Sequence, residues 1–287
     1  MARSLKKAWW ALTFVFAAVQ MVLTLFPANI PIAGTGIHFS INLISSPIIG
    51  YLLGPFYAAV SVFLGTFVGA IIDPSIATLM MSLGILGTLL VAIPPTSCAF
   101  VAGLIRKGRH RLVSFFFVFA IGLFLFTRIG LASFSFLWLH IIALFLSLLL
   151  MVPQFKNHLK EGLDTSEGTS YPHTAIAVFL LVFISVMADH IAASVVRAYL
   201  LLPVPIEYLS FIYSEVILIY PIEGILAAIV GTIATILIAV AISRANLYLP
   251  TRPIAGKELD SIGPLNEKAL ARSRAIEEMI PSEEDSQ

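Results

Sequence analysis

Charge is what this sequence has least of. Only 11% of its 287 residues are Asp, Glu, Lys or Arg, under half of the roughly 25% usual in a soluble domain. That excludes an ordinary soluble enzyme, a disordered chain and a nucleic-acid binder. Cysteine is nearly missing too. The single Cys98 lies in an apolar run, so an internal disulfide, an Fe–S cluster and a Cys-ligated zinc are all excluded. The sequence has no H-E-x-x-H, no G-x-S-x-G, no Asp-rich metal motif and no Walker A loop. The expectation is a non-enzyme without cofactor or metal that cannot itself hydrolyse ATP. No inverted repeat of the secondary-transporter kind is visible.

What is there is apolar. Hydrophobic residues make up 59% of the chain, and the mean hydropathy is +0.98. A spanning helix needs about 20 mostly apolar residues. Eight segments qualify as candidates: 9–26, 37–53, 56–72, 78–104, 112–128, 131–152, 173–199 and 219–243. Gly54-Pro55 predicts a tight turn between the second and third, because glycine ends helices and proline suits a first helical turn. Pro221 predicts a break that leaves 207–218 as a short outer helix or re-entrant segment. Lys6-Lys7 ahead of an apolar run fits the start of a signal peptide. The length of that run, the lack of a small-residue cleavage site after Phe26-Pro27 and the later spans favour a first transmembrane helix.

Basic residues set the expected orientation. Arg3, Lys6 and Lys7 precede the first segment, and Arg106, Lys107, Arg109 and Arg111 follow the fourth. Lys156 and Lys160 follow the sixth, and Arg244 to Arg274 follow the last. With eight spans and both termini cytoplasmic, all of these lie inside, while only Arg128 and Arg197 lie toward the outside. Trp9 and Trp10 fit an interfacial belt at the inner surface. The expected architecture is therefore an all-α polytopic transmembrane bundle in a cell membrane over 1–244. A charged cytoplasmic tail over 245–287 holds a short amphipathic helix at 265–280 and a disordered end.

The acids outside the tail and the 161–167 loop are Asp73, Asp189, Glu207, Glu215 and Glu223. In this orientation all five fall in the outer half. An ionised group in a bilayer costs about 2.5–3.5 kcal/mol or more, so such residues face partners or a wet cavity. In the seventh segment, Met187-Ala188-Asp189-His190 is followed by Arg197. His190 and Arg197, seven positions apart, share nearly one helical face, and Asp189 lies about 100° round from His190. An internal Asp189–Arg197 ion pair and a direct ligand role both fit. Further on, Tyr208, Tyr213, Glu215, Tyr220 and Glu223 suit a small organic ligand, with rings that stack and hydroxyls that orient it. An aromatic interface belt with solvated acids fits Glu207 and Tyr208 better. Five acids against two bases on the outer side lean toward a cationic or donor-rich ligand. The loop 27–36 is apolar for an exposed loop and reads as a cover, with His38 and Asn42 following at one-turn spacing. Gly65 and Gly69 form a GxxxG, and Gly224, Ala228, Gly231 and Thr235 form a small-residue stripe, both signs of close helix packing.

Three stretches carry a family resemblance. Gly50-Tyr51-Leu52-Leu53-Gly54-Pro55-Phe56-Tyr57-Ala58-Ala59, the basic run Gly103 to Arg109, and Tyr220-Pro221-Ile222-Glu223-Gly224 resemble the spans of substrate-binding (S) components of energy-coupling factor transporters. The likeness covers about two-thirds of the chain. Gly224 stands where the family usually has a basic residue, and the hairpin 112–152 reads as an insertion into the family's six spans. The first span lacks the family's Ala-x-x-x-Ala docking motif. The resemblance implies a membrane subunit that binds a vitamin or similar small organic nutrient at an outward-facing pocket. The loop after span one would act as its lid, and a membrane T component and two ATPases would energise uptake. The substrate-binding candidates are His38, Asn42, Asp189, His190, Arg197, Tyr213, Glu215, Tyr220 and Glu223. The family's metal-binding branch uses a His near the N-terminus, and none precedes His38, which argues against nickel and cobalt. Two other readings compete: a structural membrane protein similar to the rod-shape-determining proteins of the same fold superfamily, and an intramembrane enzyme using Asp189 and His190 as an acid–base pair.

Overall fold

The computed structural model describes residues 2–25, 30–31, 38–39, 41–73, 77–163, 171–200 and 206–244. They belong to one compact unit, Met1–Leu249. The expected tail helix at 265–280 and the disordered end lie outside the described residues. Apart from a two-residue ladder, the regular structure among the described residues is helical.

Each of the eight apolar segments contains helix, with lengths that differ from those expected. Helix α1 is Ala2–Leu25, α3 is Pro55–Ile72, α4 is Ala77–Arg106, α9 is Tyr171–Leu200 and α10 is Ile206–Arg244. These five hold stretches long and apolar enough to cross a membrane. Helices α2, Asn42–Leu53, and α5, His110–Leu125, are apolar but shorter. At about 1.5 Å per residue, neither matches a hydrocarbon core of about 30 Å alone.

Four boundaries depart from the sequence reading. The second segment is not helical at His38–Phe39. His38–Phe39 forms strand β2, antiparallel to strand β1, Ile30–Pro31. The β-branched and aromatic residues there favour a ladder, and the helix begins only at Asn42. The fourth is interrupted at Gly84, whose φ of 60° and ψ of −149° lie outside helical space. The sixth is not one continuous helix. Helix α6 (Arg128–Ala132), a 3-10 turn (Phe134–Leu137) and α7 (Trp138–Leu149) lead to α8 (Pro153–Leu163), and the chain bends by 96° before α8. Finally, Pro221 does not break α10, which runs unbroken for 39 residues. Its lost N–H is tolerated because apolar packing holds both sides, with Tyr220, Ala227 and Ala228 buried.

The Gly54-Pro55 turn forms as expected. Gly54 has a φ of 74°, which favours glycine, and Pro55 opens α3. The GxxxG of α3 now has an identified neighbour. A Cβ on Gly65 would collide with the backbone carbonyl of Ala17 and come within 2.6 Å of Gln20 Cβ, and one on Gly69 would come within 2.8 Å of Thr24 Cβ. The small residues therefore let α1 lie directly on α3. At one end of this contact Trp9 stacks on Tyr57, with centroids 4.9 Å apart and planes 13° apart, and Trp10 meets Phe56 and Tyr57 edge-on.

Helix α9 is the centre of the bundle, packing on α2, α4, α5, α7, α8 and α10. Its Leu181, Ile184, Met187 and Ile191 are fully buried, together with Phe117 and Phe124 of α5. The hairpin 112–152 thus contributes to the same core as the rest. Large apolar side chains such as Phe14, Phe115, Phe119, Phe145 and Leu237 stay exposed around it, as a lipid-facing surface requires.

Candidate functional site

Two clusters of polar residues in the interior hold most of the sequence-predicted site residues. The first ties α1 to α2 and α3. Gln20, fully buried on α1, donates from Nε2 to Asn42 Oδ1 at 3.1 Å and to Thr66 Oγ1 at 3.3 Å. Its Oε1 accepts from the Ser45 hydroxyl at 2.8 Å. Both ends of the amide are engaged, so Asn42, expected at a ligand site beside His38, belongs to an interhelical clasp. With β2 preceding α2, His38 and Asn42 do not share one helix, and the side chain of His38 lies outside the described residues.

The second cluster joins α9, α10 and the α5–α7 hairpin. On α10, the Tyr220 hydroxyl lies 2.7 Å from His140 Nε2 on α7 and 3.8 Å from Met187 Sδ on α9. The His190 ring meets Tyr220 edge-on, with centroids 4.3 Å apart, while His140 lies nearly parallel to Tyr220 at 5.5 Å. Phe136 of the 3-10 turn packs on His140, Tyr213 and Tyr220 at 4.8 to 5.3 Å. Phe124 closes on Tyr213 at 5.7 Å. Four further rings, His190, Phe136, Tyr213 and Phe124, therefore surround Tyr220 and His140 or extend from them.

Charge lies next to these rings. Asp189 sits beside His190 on α9 and is buried. Arg197 and Glu223 are the charged groups near enough to act on it electrostatically, and Arg197 also acts on Glu223, His190, Tyr213 and Tyr220. Among the described residues no ion pair within 4 Å joins Asp189 or Glu223 to Arg197; the one such pair is His158–Glu161. The direct Asp189–Arg197 pair considered from the sequence is therefore not formed. Nε2 of His190 is shielded from solvent and has no hydrogen-bond partner among the described residues. No group of three or more His, Cys, Asp or Glu side chains able to hold a metal occurs among the described residues.

The structure thus brings together Asp189, His190, Tyr213, Tyr220 and Glu223, with Arg197 acting on them from an exposed position. It takes Asn42 elsewhere. Glu215 lies on α10, and its side chain is outside the described residues. Sequence reasoning missed His140, Phe136 and Phe124. The available signal was a lone imidazole in an otherwise apolar run, four positions after Phe136.

Fold and composition define a multi-pass helical membrane protein. The chain is 27% identical over 208 residues to an uncharacterized protein of Methanocaldococcus jannaschii, covering 72% of this chain and 62% of that one. The chain therefore spans under two-thirds of the relative's length. No family model matches the chain, and no solved structure matches it.

Proposed function

We propose that this protein is a membrane-embedded binding subunit for a small polar organic nutrient, with Asp189, His190, Tyr213, Tyr220, Glu223 and His140 as the site. The reading follows the resemblance to S components of energy-coupling factor transporters. In it the protein lies in the cell membrane with both termini cytoplasmic, and a T component and ATPases supply the energy. The observation that supports it most is His190. Its Nε2 is shielded and has no partner among the described residues; next to it are the Asp189 carboxylate, without an ion pair among those residues, and the Tyr220 ring. Leaving a buried polar atom unsatisfied costs about 1–3 kcal/mol, and a ligand offering a ring and hydrogen-bonding groups would relieve that penalty. Adjacent acids favour a cationic or donor-rich ligand.

Native mass spectrometry of the gently purified complex tests this. The expected result is a co-purifying small molecule together with a T component and ATPases. Asp189→Asn and Glu223→Gln should lose the small molecule while keeping the thermal transition. An empty chain bound only to other membrane proteins would instead support an interaction protein of the same fold superfamily, with the acids serving helix association.

A further inference from the structure

The opposite end of α9 faces a different surface. Helix α4 ends in a Schellman turn, with Gly108 N–H bonded to Ile105 O at 2.9 Å and Arg109 N–H to Leu104 O at 2.9 Å. Gly108, with a φ of 66°, takes the left-handed position that such a turn requires. The turn carries Arg106, Lys107 and Arg109, and α5 begins at once with His110 and Arg111.

Helix α8 lies over this turn. A Cβ on Gly108 would sit 3.5 Å from Lys156 Cε. Three contacts fix the arrangement. Arg106 Nη1 donates to Leu163 O, the C-terminal carbonyl of α8, at 2.7 Å. The Tyr51 hydroxyl donates to the same oxygen at 3.1 Å, and the Arg106 guanidinium lies 4.7 Å over the Tyr51 ring. Ser114 and Ser147, 2.9 Å apart, link α5 to α7 just below. Lys107, Arg109, Arg111, Lys156 and Lys160 are all exposed.

Two features make this more than a solvated face. First, the charge is uncompensated among the described residues. The single acid on these elements is Glu161, and it pairs with His158 at 3.9 Å. None of the five exposed cations has a carboxylate within 4 Å among the described residues. Asp164 and Glu167 follow in sequence, outside those residues. Second, the cations border exposed apolar side chains: Leu112 and Phe115 on α5, Met151 and Val152 at the bend, and Phe155 on α8. A free anion has no use for such a wall, whereas a lipid has both parts. The 96° bend before α8 sets this helix across α7, the attitude of a helix lying in an interface plane, where Phe155 reaches acyl chains and Lys156 and Lys160 reach headgroups.

We propose that the α4–α5 turn and α8 together form a binding site for the headgroup of an anionic phospholipid, with the flanking apolar residues against its acyl chains. Each basic residue near an anionic membrane surface strengthens binding about fivefold, so loss of three should weaken retention about a hundredfold.

The test is lipid retention by the full chain in mild detergent, read by native mass spectrometry with phosphatidylglycerol and, separately, phosphatidylcholine as probes. Selective retention of phosphatidylglycerol, lost in the triple variant Lys107→Gln, Arg109→Gln, Lys156→Gln, is expected. The charge-preserving set Lys107→Arg, Arg109→Lys, Lys156→Arg should keep it, as should neutralising Lys257, Lys268 and Arg272 in the tail. Equal retention of the two lipids by the parent chain overturns the proposal and needs no variant to fold. Undiminished retention in the folded triple variant also overturns it. So does full displacement of the lipid by millimolar inorganic phosphate with no effect of Phe155→Ser, which would mark a site for a free anion.

Discussion

Tyr220 and His140 meet at 2.7 Å across the bundle, linking the longest helix to the hairpin that, in sequence, looked like an insertion. Both residues are buried. The bond explains why that hairpin belongs to the core: it supplies an imidazole and, through Phe136, an aromatic floor to the cluster that α9 and α10 bring together.

Tyr220→Phe removes one partner and leaves His140 Nε2 buried. We expect a loss of about 1–3 kcal/mol in stability. His140→Phe alone should also destabilise, and the double variant should lose less than the sum of the two. A double-mutant cycle on thermal unfolding in detergent checks this; strict additivity would mean that the bond is not formed.

Gly65→Ala places a methyl group against the Ala17 carbonyl. Backbone cannot yield as a side-chain end can, so α1 must move off α3, at about 1–3 kcal/mol. Gly122→Ala is the matched control, since nothing lies within 4 Å of its Cβ position. The expected order of melting temperatures is Gly122→Ala at or above the parent, and Gly65→Ala clearly below it.

Gln20→Leu keeps volume but leaves Asn42, Ser45 and Thr66 without the amide that joins them. The expected result is destabilisation of about 1–3 kcal/mol. Protease cleavage between α1 and α2 should become faster than in the parent, because the clasp is the polar part of what holds α1 to α2 and α3.

His110 opens α5 at the basic turn, ahead of the apolar run. Burial, reinforced by the nearby Lys156 ammonium, pulls its pKa from 6.5 down to about 4. The unfolded chain takes up a proton below about 6.5 that the folded chain refuses until about 4. This contribution to stability is therefore complete above pH 6.5 and is lost as the pH falls through that window. His110→Gln should flatten this part of the slope, measured as melting temperature at about pH 7 and about pH 5. An unchanged slope would place the imidazole in contact with water.

The legible part of the fold was the part written in short-range chemistry. Gly54-Pro55 specifies its own turn through a positive φ and a fixed proline ring, with no help from distant residues. Apolar run length located helices, but it could not see that Gly84 breaks α4 or that α7 and α8 part at a sharp bend, because hydropathy is blind to direction. Pro221 misled for the opposite reason: its local penalty was real, and tertiary packing outweighed it. Within the site, Asp189, His190, Tyr220 and Glu223 stood out as polar residues in apolar surroundings. His140 has the same signature, a lone imidazole in an apolar run, but lies in the hairpin that reads as an insertion. Asn42 was assigned by spacing to His38, a relation that holds only if both lie on one helix.

The unbroken run of α10 has a consequence for access. At 1.5 Å per residue its 39 residues extend about 58 Å, nearly twice the hydrocarbon thickness of about 30 Å. Its most apolar stretch, Tyr220–Ile242, fills that thickness by itself. With that stretch in the hydrocarbon, Tyr220 would stand at its boundary, and the rest of the helix back to Ile206 would extend about 21 Å beyond it. Tyr213, with Phe124 and Phe136 around it, would then lie about 10 Å along that extension, at the depth of the lipid headgroups. A water-soluble molecule could meet these rings at the membrane's edge without first entering oil.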